Sequence, residues 1–247
     1  MLTLEDRPRT YATITRFPDG DVKVSGCHRP PPSSRAKPKT KTSEIERQLI
    51  AARRATTHVL DYAKYYALSY LHTLTYRGPV TDRMKVQKDL KRWLRLIRET
   101  LPEFFCLAVF ELHKGGGAND GGIHVHLATD RFYPVSVLRA AWWRVVGEAQ
   151  GNIQIEHRAF ADSARRVGAY LAKYVAKDFD SAPRSFGQHR YLRSSSLRVP
   201  RERLVYFRGH FRFHRYAAMC IVSIEAGRLE KSWISEDELR FSFRSYG

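Results

Sequence analysis

Cysteine is scarce in this chain: Cys27, Cys106 and Cys220 are the only three in 247 residues, and none is spaced as Cys-x-x-Cys. An odd, scattered set builds neither a disulfide framework nor a cysteine zinc site, so a reducing cytoplasm is the expected setting. Long apolar runs are also missing. None approaches the ~20 residues that a membrane span requires, and residues 1–6 lack the basic and apolar regions of a secretory signal. Acidic residues are few as well: 25 Asp and Glu stand against 43 Lys and Arg, for a net charge of +18. A surface with that surplus concentrates polyanions. Nucleic acid is the first expected partner and an anionic membrane the second. No internal repeat and no helicase signature is found. The glycine-rich run at 115–122 is not followed by Gly-Lys-Ser/Thr, so it reads as a flexible connection and not as a phosphate cradle.

What is present suffices for a sizeable core, since 43% of the chain is hydrophobic. Residues 11–26 read as a hairpin about a Pro18-Asp19-Gly20-Asp21 turn, and 29–42, with Pro30-Pro31-Pro32, as a basic tether. Ser43 and Glu46 make a capping box opening a helix to about residue 66, with Ile45, Leu49, Ala52, Val59 and Ala63 in one stripe. Six elements follow. Residues 70–76 are a strand; 82–100 a helix with Val86, Leu90, Trp93, Leu94, Ile97 and Leu101 at helical spacing; 104–112 a buried strand; 123–129 a strand. Residues 134–150 are a second helix, with Leu138, Trp142, Val145 and Ala149 inward, and 152–160 a fourth strand. The order β-α-β-β-α-β predicts an α+β fold: a ferredoxin-like antiparallel sheet whose third strand is central. A further helix over 162–178, with Asp162 as N-cap, carries Ala164, Val167, Leu171 and Val175 on its buried side. The expected organisation is 1–42 as hairpin and linker, 43–180 as the core with its leading helix, and 181–247 as a basic, aromatic extension. Within that extension, 230–239 is acidic and expected to be helical.

The chemistry concentrates on Gly122-Ile123-His124-Val125-His126-Leu127. Residues i and i+2 of a strand share a face, so His124 and His126 project together. With a third ligand they would hold one divalent ion. On the preceding strand Glu111 and His113 share a face. Glu111 is favoured, because a carboxylate suits the hard Mg²⁺ or Mn²⁺; the set would also accept Zn²⁺ or Co²⁺. Tyr170, Lys173, Tyr174 and Lys177 lie at i, i+3, i+4 and i+7 and share a second face of the last helix, with Arg166 one turn earlier. A phenol is a nucleophile for phosphoryl transfer, and nearby lysines favour phenolate and bind phosphate. Arg190 and Arg193 stand in the arginine/aromatic stretch of 183–216, which would pair with phosphates and stack on bases.

Three stretches resemble the motifs of the HUH rolling-circle replication initiators of small plasmids and single-stranded DNA phages. They are Leu71-His72-Thr73-Leu74-Thr75, the His-x-His strand, and Tyr170-Leu171-Ala172-Lys173-Tyr174-Val175-Ala176-Lys177, the last similar to the two-tyrosine form. In conjugative relaxases the tyrosine usually precedes the His-x-His strand; here it follows. Compact insertion-sequence transposases share the later placement but usually have one tyrosine in a much shorter chain. The resemblance implies nicking of one strand at an origin, with single-stranded or hairpin DNA as substrate. It implies a 5′-phosphotyrosine with a free 3′-OH, a host helicase and polymerase as partners, and a bacterial cytoplasm. By the family pattern Tyr174 is the primary nucleophile and Tyr170 the second. The alternatives are a transposase or relaxase with the same chemistry, and a non-enzymatic single-strand-binding sheet of the RRM type.

Overall fold

A computed structural model describes residues 9–29, 43–113, 121–155, 164–181, 189–194, 197–206 and 210–246. The chain divides into two units, residues 42–198 and residues 1–41 together with 199–247.

The larger unit begins with α1 (Glu44–Tyr65), opened by the capping box: Ser43 Oγ accepts from the Glu46 N–H, and the Glu46 carboxylate accepts from the Ser43 N–H. Only the second half of its stripe is buried. Val59 and Ala63 are fully covered, while Ile45 and Leu49 are exposed. Next come β3 (Tyr70–Tyr76), α2 (Arg83–Thr100), β4 (Leu107–Leu112), β5 (Ile123–Thr129), α3 (Val135–Val146), β6 (Gly151–Ile155), α4 (Ala164–Ser181) and β7 (Tyr191–Arg193). The expected tether over 30–42, the second half of the fourth strand at 156–160 and Asp162, the expected cap of α4, lie outside the described residues. The sheet order is β6-β3-β5-β4-β7, with every neighbouring pair antiparallel. The fold is α+β, and the expected split plan appears with β5 at the centre.

Strand alternation divides the side chains between two cores. On one face Leu74, Phe110, Val125, Leu127 and Ile153 pack with Trp93 of α2 and Leu138 and Trp142 of α3. Both buried indoles find acceptors, Trp93 Nε1 donating to Leu138 O and Trp142 Nε1 to Thr75 O, each at 3.0 Å. Helix α3 ends at Val146; Ala149, expected inward, lies beyond it with positive φ and is exposed. On the other face Leu71, Leu107, Val109 and Ala128 pack with α1 and α4. Helix α4 buries Val167, Leu171 and Val175 completely. At ~1.5–3 kcal/mol per fully buried aliphatic side chain, these three contribute roughly 5–9 kcal/mol. An exposed ion pair contributes under about 1 kcal/mol, so the apolar stripe decides where α4 lies. Gly168 permits the close approach of α1, because a Cβ there would sit 2.9 Å from Ala63 Cβ.

In the smaller unit β1 (Arg9–Arg16), β2 (Val22–Arg29), β8 (Glu202–Tyr206), β9 (Lys231–Ile234) and β10 (Arg240–Arg244) form an antiparallel sheet ordered β8-β1-β2-β10-β9. Helix α5 (Phe211–Ala226) covers one face, through Ala218 and Val222 against Ala12, Ile14, Val24, Phe241 and Phe243. The helix expected over 230–239 is instead strand β9 and a turn. The reason is the two-residue alternation of Phe241 and Phe243 with Arg240, Ser242 and Arg244. That pattern pairs β10 with β9 and confines the acidic residues to the connection. There the Asp237 carboxylate accepts from the Ser235 hydroxyl and the Leu239 N–H.

Candidate active site

The register sets the site. Glu111 on β4 lies directly opposite His124 on β5, and Thr73 on β3 opposite His126. These four residues share the face covered by α1 and α4. Across the diagonal, His126 Nε2 lies 2.8 Å from Glu111 Oε2. On the other side of the ring, His126 Nδ1 is 3.0 Å from Thr73 Oγ1. A carboxylate only accepts, so Nε2 carries the proton toward Glu111 and the Thr73 hydroxyl donates to Nδ1. The same hydroxyl can also accept, so it would hold the ring in the opposite tautomer, with Nε2 free to ligate. Sequence reasoning gave Thr73 no role of its own, because its place beside His126 is invisible until β3 and β5 are paired.

Helix α4 brings the phenols onto this pair. The Tyr174 ring stacks on the His126 ring, 4.4 Å between centroids at 16°, and Tyr170 meets it edge-on at 5.7 Å. Tyr174 Oη donates to Tyr170 Oη at 2.8 Å. Tyr174 is 8% exposed and Tyr170 partly exposed. One turn on, Lys177 Nζ lies 3.4 Å from Glu111 Oε1 and 5.2 Å from the centre of the Tyr174 ring. Lys173 and Arg166 are exposed on the same helix. Burial pushes the Glu111 carboxyl up, but the hydrogen bonds and charges of His126 and Lys177 outweigh it, leaving the group below the usual carboxylate range. Glu111 is therefore ionised at neutral pH.

His124 stands on this face, but its ring packs on His113, 4.9 Å between centroids. Burial, followed by the positive potential of His113 and His126, holds the His124 imidazole below its ordinary value, so it is neutral, the form that ligates a metal. Among the described residues no three His, Cys, Asp or Glu side chains gather closely enough to hold an ion. The donor chemistry nevertheless fits a hard divalent cation at Glu111 and His126, whose donor atoms already meet and whose ring is anchored from behind. His113, the competing third ligand, keeps a buried Nδ1 without a hydrogen-bond partner among the described residues.

Two residues expected to touch DNA are engaged elsewhere. Arg190 is 7% exposed, and its Nη1 donates to the Asp178 carboxylate at 3.0 Å and the Asp178 carbonyl at 2.7 Å. Arg83 of α2 donates to the same carboxylate. Two guanidiniums thus clamp one shielded acid, one helical turn beyond Tyr174. Arg193 is exposed, yet its Nη1 is 2.6 Å from Leu197 O and its guanidinium lies over the Tyr62 ring. Neither Asp178 nor Arg83 had a signal in the sequence, because the pairing joins residues 95 positions apart.

The fold and cluster define a ferredoxin-like α+β protein with a histidine–carboxylate pair in its sheet and two phenols delivered by a following helix. Residues 69–179, under half of the chain, match the family model of the replication-associated protein ORF2. That segment runs from β3 to the end of α4, and the match supports a replication-associated protein acting in replication initiation. No curated protein and no solved structure matches the chain.

Proposed function

We propose that the protein nicks and rejoins single-stranded DNA at a rolling-circle origin through a 5′-phosphotyrosine. The observation that carries this reading is the contact of the Tyr174 ring with His126, which is itself bonded to Glu111. It couples a nucleophile to the only pair in the sheet suited to phosphate chemistry among the described residues.

In this reading Tyr174 Oη attacks the scissile phosphorus. A bond forms between Oη and phosphorus, and the bond from phosphorus to the 3′ oxygen breaks. The phenolic proton departs along the hydrogen bond to Tyr170, which passes its own on to solvent, and the 3′ oxygen takes up a proton as it leaves. Lys177 and Lys173 supply positive charge to the phosphate oxygens. Glu111, His126 and His124 would hold Mg²⁺ or Mn²⁺, which when bound polarises the phosphate and stabilises its developing charge. The phosphotyrosine keeps the ester's bond energy. Attack by a later 3′-OH, or by the Tyr170 hydroxyl on a second strand, closes the cycle without loss of the link. A host helicase and polymerase would open and copy the template, in a bacterial cytoplasm. Among the described residues no helix is long and apolar enough to cross a membrane.

The test is a denaturing gel of protein incubated with Mn²⁺ and labelled single-stranded oligonucleotides tiling the DNA that flanks the gene. A covalent adduct that disappears in His126→Ala is the expected result. Binding without any adduct would leave only a single-strand-binding sheet, and an adduct that survives His126→Ala would remove the metal assignment.

A further inference from the structure

The sheet of the smaller unit has a second face that α5 does not cover. The register puts Arg203, Thr13, Ser25, Ser242 and Trp233 in one cross-strand row on that face. Tyr11 and Arg240 stand in the row on one side of it, and Lys231 and Arg244 in the row on the other. Thr15 and Lys23, at the inner end of that last row, are buried, so the open area is the central row and its outer flanks. Arg203, Lys231 and Arg240 are exposed, and Trp233 is 48% exposed. No position of this face in the five strands holds Asp or Glu. The opposite face is apolar and packs on α5, so burial beneath a helix does not account for the character of this one.

The chemistry is specific in kind. Five strands set ~4.8 Å apart make the central row about 19 Å across. Along it run a cation, three hydroxyls and an indole, with Ser25 and Ser242 hydroxyls bonded to each other at 2.9 Å. Cations flank the row on both sides. A polyanion with flat, unpaired aromatic units matches each part. Phosphates pair with the arginines and lysine, hydroxyls meet sugar and base edges, and a base stacks on the indole. A duplex keeps its base faces closed and leaves Trp233 without a partner. A bilayer would demand an apolar ridge where the row has hydroxyls.

We propose that this open sheet face is a second binding surface for single-stranded DNA, with a base stacked on Trp233 and phosphates held by Arg203, Arg240 and Lys231. The proposal rests on the reading that the substrate is single-stranded DNA. It adds a surface remote in sequence from the tyrosine helix, one that would grip the strand whether or not it is being cut.

The test uses the full chain and a fluorescein-labelled dT20 oligonucleotide in anisotropy titrations without added metal. Trp233→Ala is expected to weaken binding about tenfold, the scale of one lost base stack. The double variant Arg203→Ala/Arg240→Ala should weaken it by a similar factor and reduce the slope of log affinity against log salt by about two. Trp93 and Trp142 are fully buried, so quenching of tryptophan fluorescence by dT20 should largely vanish in Trp233→Phe while anisotropy still reports binding. That variant guards against loss of folding. Unchanged affinity in these variants overturns the proposal, as does equal variant-sensitive binding to a 20-base-pair duplex or to anionic vesicles. The adduct gel run on the same variants separates the two readings. Adduct formation with unaltered dT20 affinity sinks this surface alone. Trp233-dependent binding with no adduct from any oligonucleotide sinks the nicking reading and leaves the surface in place.

Discussion

The Tyr174 hydroxyl donates to the Tyr170 hydroxyl at 2.8 Å, so two phenols one helical turn apart form a single hydrogen-bonded unit. They differ in setting. Tyr174 is the more buried and lies flat on His126, whereas Tyr170 touches that ring with its edge. Tyr174→Phe is therefore expected to lower the first covalent adduct by about a thousandfold or more, the scale of a lost nucleophile. Tyr170→Phe should lower it by about tenfold or less, since only a proton path is lost. Single-turnover adduct yields on one oligonucleotide check the ranking. The reverse order would exchange the two roles.

Thr73 anchors the ring of His126 from behind at 3.0 Å. Thr73→Val keeps the shape and removes the hydroxyl. Roughly a 10- to 100-fold loss in metal affinity or nicking rate is expected, as for partners that orient metal-binding histidines. Excess Mn²⁺ should recover part of the activity. A variant with wild-type Mn²⁺ dependence would show that the hydroxyl only fills space.

Asp178 is shared by Arg83 and Arg190, and the three side chains are between 6% and 13% exposed. Removing the acid leaves two shielded guanidiniums facing each other. Asp178→Asn should destabilise the larger unit by about 3 kcal/mol, the range for a broken buried ion pair. Urea unfolding reads this directly. A change below about 1 kcal/mol would place the cluster with surface pairs.

His72 faces the core opposite the site. Its Nε2 lies 3.0 Å from Thr129 Oγ1, and its Nδ1 has no hydrogen-bond partner among the described residues. Burial lowers its pKa to about 4 from an ordinary 6.5. The folded value lies below the unfolded one, so between those pH values the unfolded chain binds the proton that the folded chain refuses. The stabilisation is complete above about pH 6.5 and is lost as pH falls toward 4, by roughly 3 kcal/mol from this group. Denaturation midpoints of wild type and His72→Gln across that window should converge as the pH drops. Parallel curves would mean that His72 does not drive the acid sensitivity.

The repeat lengths of local structure were legible in the chain itself. Alternation marked β3 and β5, 3.6-residue spacing marked α2 and α4, and Ser43 with Glu46 marked the start of α1, because each depends on neighbours within a turn or a pleat. The same rules put His124 with His126, and Tyr170 with Tyr174. Tertiary pairing decided the rest. It set Glu111 opposite His124 yet bonded to His126, gave Thr73 its hold on that ring, and buried Arg190 on Asp178. It also drew residues 9–29 onto strands from 202–206 and 240–244 and turned an acidic stretch into β9 and a turn. Register and long-range burial depend on which strands meet, and no local period carries that choice.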